Sequence, residues 1–196
     1  MSSQGFWTTV ASAADPKRKF RFLVTIGSMP DGATWYSKSV TKPSIEVKEA
    51  EHQFLNHTFY YPGGVTWGPV SVTLVDPVSP DASANLSRIL LESGYKPPSD
   101  INDTTTISKS SAVSALQSVV IQQINSTGTP VETWTLHNAF ITKVDYGGDL
   151  SYGDDELAEL TVDFRYDWAS IETFYKADDG PNKSGGSKRY WVPGTS

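Results

Sequence analysis

The sequence predicts a mainly β protein: an antiparallel β-sandwich or barrel with one short α-helix and a long protruding hairpin arm. Three observations carry this. Strict apolar–polar alternation recurs along the chain and is longest at Leu157–Trp168. There Leu160, Val162, Phe164, Tyr166 and Trp168 fall on one side, with Glu159, Thr161, Asp163, Arg165 and Asp167 on the other. A period of two over that length is a strand with one face buried and one in water. Clusters of Gly, Pro, Asn and Asp punctuate such stretches, as at Tyr146-Gly147-Gly148-Asp149, and read as turns. One segment alone has good helical spelling: Asp81 as N-cap, an apolar stripe of Ala82, Leu86, Ile89 and Leu90, and Gly94 as the stop.

In chain order, residues 1–18 read as an N-terminal arm, small and polar around Phe6-Trp7. A β domain spans 19–170, and 171–196 reads as a C-terminal tail. Lys19–Ile26 is the first strand, with Phe20, Phe22 and Val24 on its inner side. Trp35–Thr41 is a second, stopped at Lys42-Pro43. Ser44–Tyr61 is strand-like but polar, the long hairpin arm, and it carries Phe54, Leu55, His57 and Phe59 where little can cover them. Val65–Val75 places Val72 and Leu74 inward, and the helix follows. Residues 95–111 read as a surface loop; 111–117 are spelled for either a turn of helix or the approach to a strand. Val119–Ile124, Trp134–Asp145 and Leu157–Trp168 complete the strands, and the expected core includes Leu160, Val162 and Phe164.

At 196 residues the chain suits a single domain with a sizeable core. It contains no cysteine, which excludes disulfides and thiolate metal sites. No apolar run reaches the ~20 residues of a membrane span, and the first residues lack signal-peptide spelling, so no membrane anchor is expected. The net charge of −6 is uneven: residues 1–50 hold seven bases against four acids, whereas 151–196 hold five against nine. From Asp145 to Asp167 eight carboxylates meet one base, Arg165. No basic stripe supports specific nucleic-acid binding.

Nothing argues for an enzyme or a cofactor. His52, His57 and His137 are scattered without zinc spacing. Asp149, Asp154, Asp155 and Glu156 lack the alternating calcium-loop spelling and read as a solvated turn. Ser39-Val40-Thr41-Lys42 matches S-x-x-K in a strand, where that chemistry has no helix start to use. Asp163 and Asp167 share one exposed side, with nothing to separate their acidities as a glycosidase pair requires.

An ordered set of segments resembles the tail tube protein of contractile-tailed (myovirus) bacteriophages, which is related to the tube proteins of contractile injection systems. It consists of Lys19–Gly27; Lys38–Pro43 followed by Ile45-Glu46-Val47; Phe59-Tyr60-Tyr61-Pro62-Gly63-Gly64 before Thr66–Leu74; the helix at 82–93; and the closing stretches Trp134–Val144, Gly148–Tyr152 and Leu160–Trp168. The 95–111 loop and the residues after 170 depart from the pattern.

The resemblance implies a tail-tube fold whose subunits close into hexameric rings. The rings stack as the inner tail tube of a virion, assembled in the host cytoplasm, through which phage DNA is ejected. It implies as partners other copies of the chain, a tail sheath protein, baseplate and tail terminator proteins, and double-stranded DNA passing non-specifically. On this reading Glu159, Thr161, Asp163, Arg165 and Asp167 face the lumen, together with polar residues of Lys19–Ile26, because an anionic wall repels phosphate. Phe54, Leu55, His57 and Phe59 then form the inter-ring arm. Two alternatives remain: a tube subunit of a type VI or extracellular contractile injection system, and a ligand-binding β-sandwich decoration protein.

Overall fold

Alternation organises the chain into strands that face one another across a shared core. A computed structural model describes residues 16–29, 36–101, 104–148, 150–153, 155–175 and 186–193. Residues 1–15, with Phe6-Trp7, lie outside these, as do Trp35, Asp149 and Asp154.

One sheet has the order β1 (Phe22–Ile26), β6 (Val119–Ile124), β7 (Pro130–His137), β10 (Trp168–Tyr175), β11 (Gly186–Tyr190). The other has the order β2 (Ser37–Val40), β5 (Val70–Val75), β9 (Glu159–Arg165), β8 (Phe140–Asp145). Every pairing is antiparallel. Val24, Ile26, Ile121 and Leu136 of the first sheet share one core with Val72, Leu74, Leu160, Val162 and Phe164 of the second. Phe22 is partly buried against that core. Phe20 is not in it: β1 begins only at Phe22, and Phe20 is 75% exposed beneath the Arg21 guanidinium, 5.4 Å from its ring centre.

Two long strands expected from the sequence each divide between the sheets. Trp134–Asp145 breaks at Asn138, whose φ of 55° turns the chain from β7 into β8; asparagine tolerates that left-handed conformation better than most residues. Leu157–Trp168 breaks at Tyr166-Asp167, where β9 leaves one sheet and β10 enters the other. The buried parity changes there, from even positions ending at Tyr166 to odd ones beginning at Ala169. The two corners are tied together: the Asp167 amide donates to the His137 carbonyl (3.1 Å) and Asn138 Nδ2 donates to the Asp167 carboxylate (2.8 Å).

The sheet also continues where a tail was expected after residue 170. β11 pairs with β10 from Ile171↔Tyr190 to Tyr175↔Gly186, and Arg189 bridges Glu172 at 3.0 Å. Val65–Val75 likewise divides at Gly68-Pro69, between β4 (His57–Trp67) and β5.

The described residues form two helices where one was expected. α1 (Ala82–Glu92) is capped as its sequence suggests, the Asp81 carboxylate accepting from the Ala84 amide at 2.8 Å, and it buries Ala82, Leu86 and Ile89. Gly94, at φ 104°, turns the chain after it; a Cβ there would lie 2.8 Å from the Thr106 carbonyl oxygen, so the position requires glycine. α2 (Lys109–Leu116) resolves the undecided stretch as helix. Ser108 is its N-cap, and Ala112, Ala115 and Leu116 are buried.

Candidate assembly surfaces

The arm is the least compensated part of the molecule. β3 (Ile45–Phe54) and β4 form a two-stranded sheet of their own, closed by Leu55-Asn56. A lone hairpin is marginal in water, and this one has every residue of β3 exposed. The register pairs Ile45 with Trp67 and Val47 with Val65, is irregular around Lys48, then runs from Glu49↔Pro62 to Phe54↔His57. Toward the tip, Ala50, His52 and Phe54 share a side with Tyr61, Phe59 and His57. The opposite side carries Glu49, Glu51, Gln53 and Thr58, with Tyr60 and Pro62 between them. The outer arm is therefore amphipathic, with an aromatic stripe in which the His57 and Phe59 rings meet edge to face at 4.7 Å. Phe54 is 62% and Leu55 80% exposed.

At the foot of the arm the apolar side holds Ile45, Val47, Val65 and Trp67. Trp67 packs on Tyr166 (6.0 Å between ring centres) and on Trp191 (5.5 Å). An open apolar groove runs along this foot, lined by Ile45, Val65, Trp67, Trp168, Trp191 and Pro193, with no charged side chain in it.

The connection leading into β3 is moored by a carboxylate that sequence reasoning passed over. Glu132 sits on the inward parity of β7 with Trp134 and Leu136, and is only 6% exposed. It accepts hydrogen bonds from Lys17, from Lys42 Nζ (2.6 Å) and from Trp134 Nε1 (2.6 Å). Burial pushes its carboxyl up, but the three donors outweigh burial and hold it at about 2. The available signal was a lone acid at an inward position of an otherwise apolar alternation.

The solvent side of the second sheet carries Glu159, Thr161, Asp163 and Arg165, in register with Val75, Thr73 and Ser71 of β5. Asp167 is not on that side: it lies in the corner beyond β9, bound by Lys109 Nζ (2.7 Å) and Asn138. The Lys109 hydrogen bond, then that of Asn138, lowers its carboxyl. The face is also less anionic than its sequence once the strands meet. Lys38 pairs with Glu159, which raises the lysine, and Lys143 stands directly across from Asp163 and 3.4 Å from Asp145. With Arg165, three bases stand among the acids Glu159, Asp163, Asp145 and Glu156. β1 belongs to the other sheet, where it pairs with β6.

These positions separate Asp163 from Asp167 experimentally. Asp163→Asn keeps the size of a half-buried side chain and gives up only the charge facing Lys143, and is expected to cost less than ~0.5 kcal/mol. Asp167→Asn loses a two-oxygen contact with Lys109 that ties α2 to the corner, and is expected to cost about 1 kcal/mol. Urea midpoints of the two variants measure the difference; equal midpoints contradict it.

Among the described residues no group of three or more His, Asp or Glu is placed to hold a metal ion, and no helix is long and apolar enough to cross a membrane. Asp155 and Glu156 are exposed in the β8–β9 connection.

No family model and no curated protein matches the chain. Solved structures do. One is a chain of the PVC extracellular contractile injection system, from its sheath–tube complex in the extended state. It is 17% identical with a TM-score of 0.59, over 85% of this chain and 97% of that one. A chain of the anti-feeding prophage baseplate is 19% identical with a TM-score of 0.58, over 81% and 96%. A chain of the anti-feeding prophage tube-terminating cap is 18% identical with a TM-score of 0.53, over 82% and 93%. Identity this low carries architecture and not role. The chain has the tail-tube fold of contractile injection systems, the architecture its sequence resemblance implies.

Proposed function

We propose that this protein is an inner-tube subunit of a contractile machine, assembling into six-membered rings that stack into a hollow tube inside a sheath. The observation that carries the reading is the arm: a bare amphipathic hairpin attached to a tail-tube fold, stable only if another surface covers its aromatic stripe. The sheath, baseplate and terminator proteins are its further partners. In the phage form of this reading the tube sits in a virion tail, is assembled in the host cytoplasm and passes double-stranded DNA. Glu159, Thr161, Asp163 and Arg165 then line the lumen as a wall of mixed charge, with Lys38 and Lys143 beside the acids. Such a wall gives passing phosphate no net attraction.

A specific observation favours a second reading. One fold neighbour is a chain of an extracellular contractile injection system, which makes a tube of that kind an equal candidate. Negative-stain microscopy of the purified protein tests the shared part: hollow tubes or six-fold rings are expected, and a monodisperse monomer at high concentration overturns it. Immunogold labelling of particles from producing cells divides the two forms. Label on tails joined to filled capsids supports the phage; label on headless sheathed rods supports the second reading.

A further inference from the structure

Among the described residues the arm tip and the groove at the arm's foot are two exposed apolar surfaces matched in kind. The tip presents Phe54, Leu55 and Phe59, with Glu49 and Glu51 confined to the opposite side. The groove presents aliphatic and indole surface without charge. Its volume of about 530 Å3 lies within the ~300–1,000 Å3 of sites that enclose a small ligand, so it admits a phenyl ring. Its aromatic floor is held in place from behind, since Trp191 stacks on Trp134 at 6.2 Å and meets Trp67 at 5.5 Å.

The tip cannot reach the groove of its own chain. Phe54 lies nine residues beyond Ile45 along a paired strand, which at ~3.3 Å per residue is about 30 Å. The match is therefore available only between copies. Because tip and groove are different patches, their contact is head to tail, and each copy that receives a tip still offers its own.

We infer that the arm tip of one copy seats in the Trp67–Trp168–Trp191 groove of the next, Phe54 and Leu55 entering the groove while the acidic side of the arm stays in water. The inference rests on the self-assembly proposed above and names the receptor for the arm. It also explains why the apolar stripe changes sides near Lys48. Ile45 and Val47 are odd positions of β3, whereas Ala50, His52 and Phe54 are even, so foot and tip face different neighbours.

The absence of cysteine makes the test direct. Asn56→Cys and Pro193→Cys place single thiols at the turn of the tip and at the rim of the groove, both at exposed positions, and leave Phe54, Leu55 and the groove's tryptophans in place. After assembly, a short bis-maleimide is added and products are resolved on a denaturing gel. Mixing the two single variants is expected to give a covalent dimer, the double variant a ladder of multimers, and either single variant alone neither product. Tubes that form normally but show no link between the tip and groove thiols overturn the receptor while leaving the tube reading standing. A double variant that stops at the dimer indicates reciprocal exchange and overturns the head-to-tail contact. Neither tubes nor links overturns both.

Discussion

Replacing Glu132 by alanine is expected to cost about 2 kcal/mol or slightly more, the largest single-residue loss outside the apolar core. The carboxylate is nearly enclosed while Lys17 and Lys42 remain about half exposed, so the lysines can turn to water and the loss stays below the ~3–5 kcal/mol of a fully buried pair. Trp134 Nε1 also loses its acceptor. Glutamine keeps that acceptor but not the charge, and is expected to cost about half as much. The pH dependence has a defined sign. Because the folded carboxyl sits at about 2 against its ordinary 4.5, its contribution is complete above pH 4.5 and is lost as the pH falls from there through about 2. The wild-type urea midpoint should therefore fall across that window more steeply than that of Glu132→Gln. Parallel acid limbs would show that Glu132 is not held low. Because Lys42 stands three residues before β3, the same variant should loosen the foot of the arm, read as faster amide exchange at 45–47.

Phe54→Ser combined with Leu55→Ser is expected to leave a folded monomer that no longer polymerises. Both side chains are largely in water in the single chain, so thermal unfolding should change little. Each would contribute ~1.5–3 kcal/mol when buried against a neighbour. Losing about 3 kcal/mol per contact weakens association roughly a hundredfold, and a polymer multiplies that loss along its length. Leu55 makes the argument sharper. Its φ of 52° is unfavourable for a branched side chain, and its exposure is unfavourable for a leucine. Leu55→Gly should therefore leave the monomer no less stable while shortening tubes. Light scattering and tube length by microscopy read both variants. Tubes of ordinary length would show that the tip is not a contact.

Much of this was legible in the sequence because it depends on local periodicity. Val72, Leu74, Leu160, Val162 and Phe164 are inward by alternation alone, and they are buried in the sandwich. Asp81 and the Ala82–Leu86–Ile89 stripe spell α1, which is where a helix forms. The arm was visible as strand-like sequence too polar to be enclosed. The overall architecture followed from those patterns together with the ordered resemblance.

Periodicity does not say which sheet a strand joins. The alternation through Leu160–Trp168 reads as one strand because the outer side of either sheet meets the same water; only packing shows that the chain changes sheets at Tyr166-Asp167. That crossing removes Asp167 from the polar face and gives it to Lys109, fifty-eight residues away. The same assembly brings Lys38 and Lys143 beside the acids of β9, so a run that is strongly anionic in sequence is partly neutralised in space. Glu132, Lys17 and Lys42 likewise meet across 115 and 90 residues, and the tryptophan groove draws on β3, β4, β10 and the end of the chain. What the sequence determined by itself is which side of each element avoids water. That preference is set by neighbouring residues, whereas charge pairing and grooves are set by distant ones that only tertiary packing brings together.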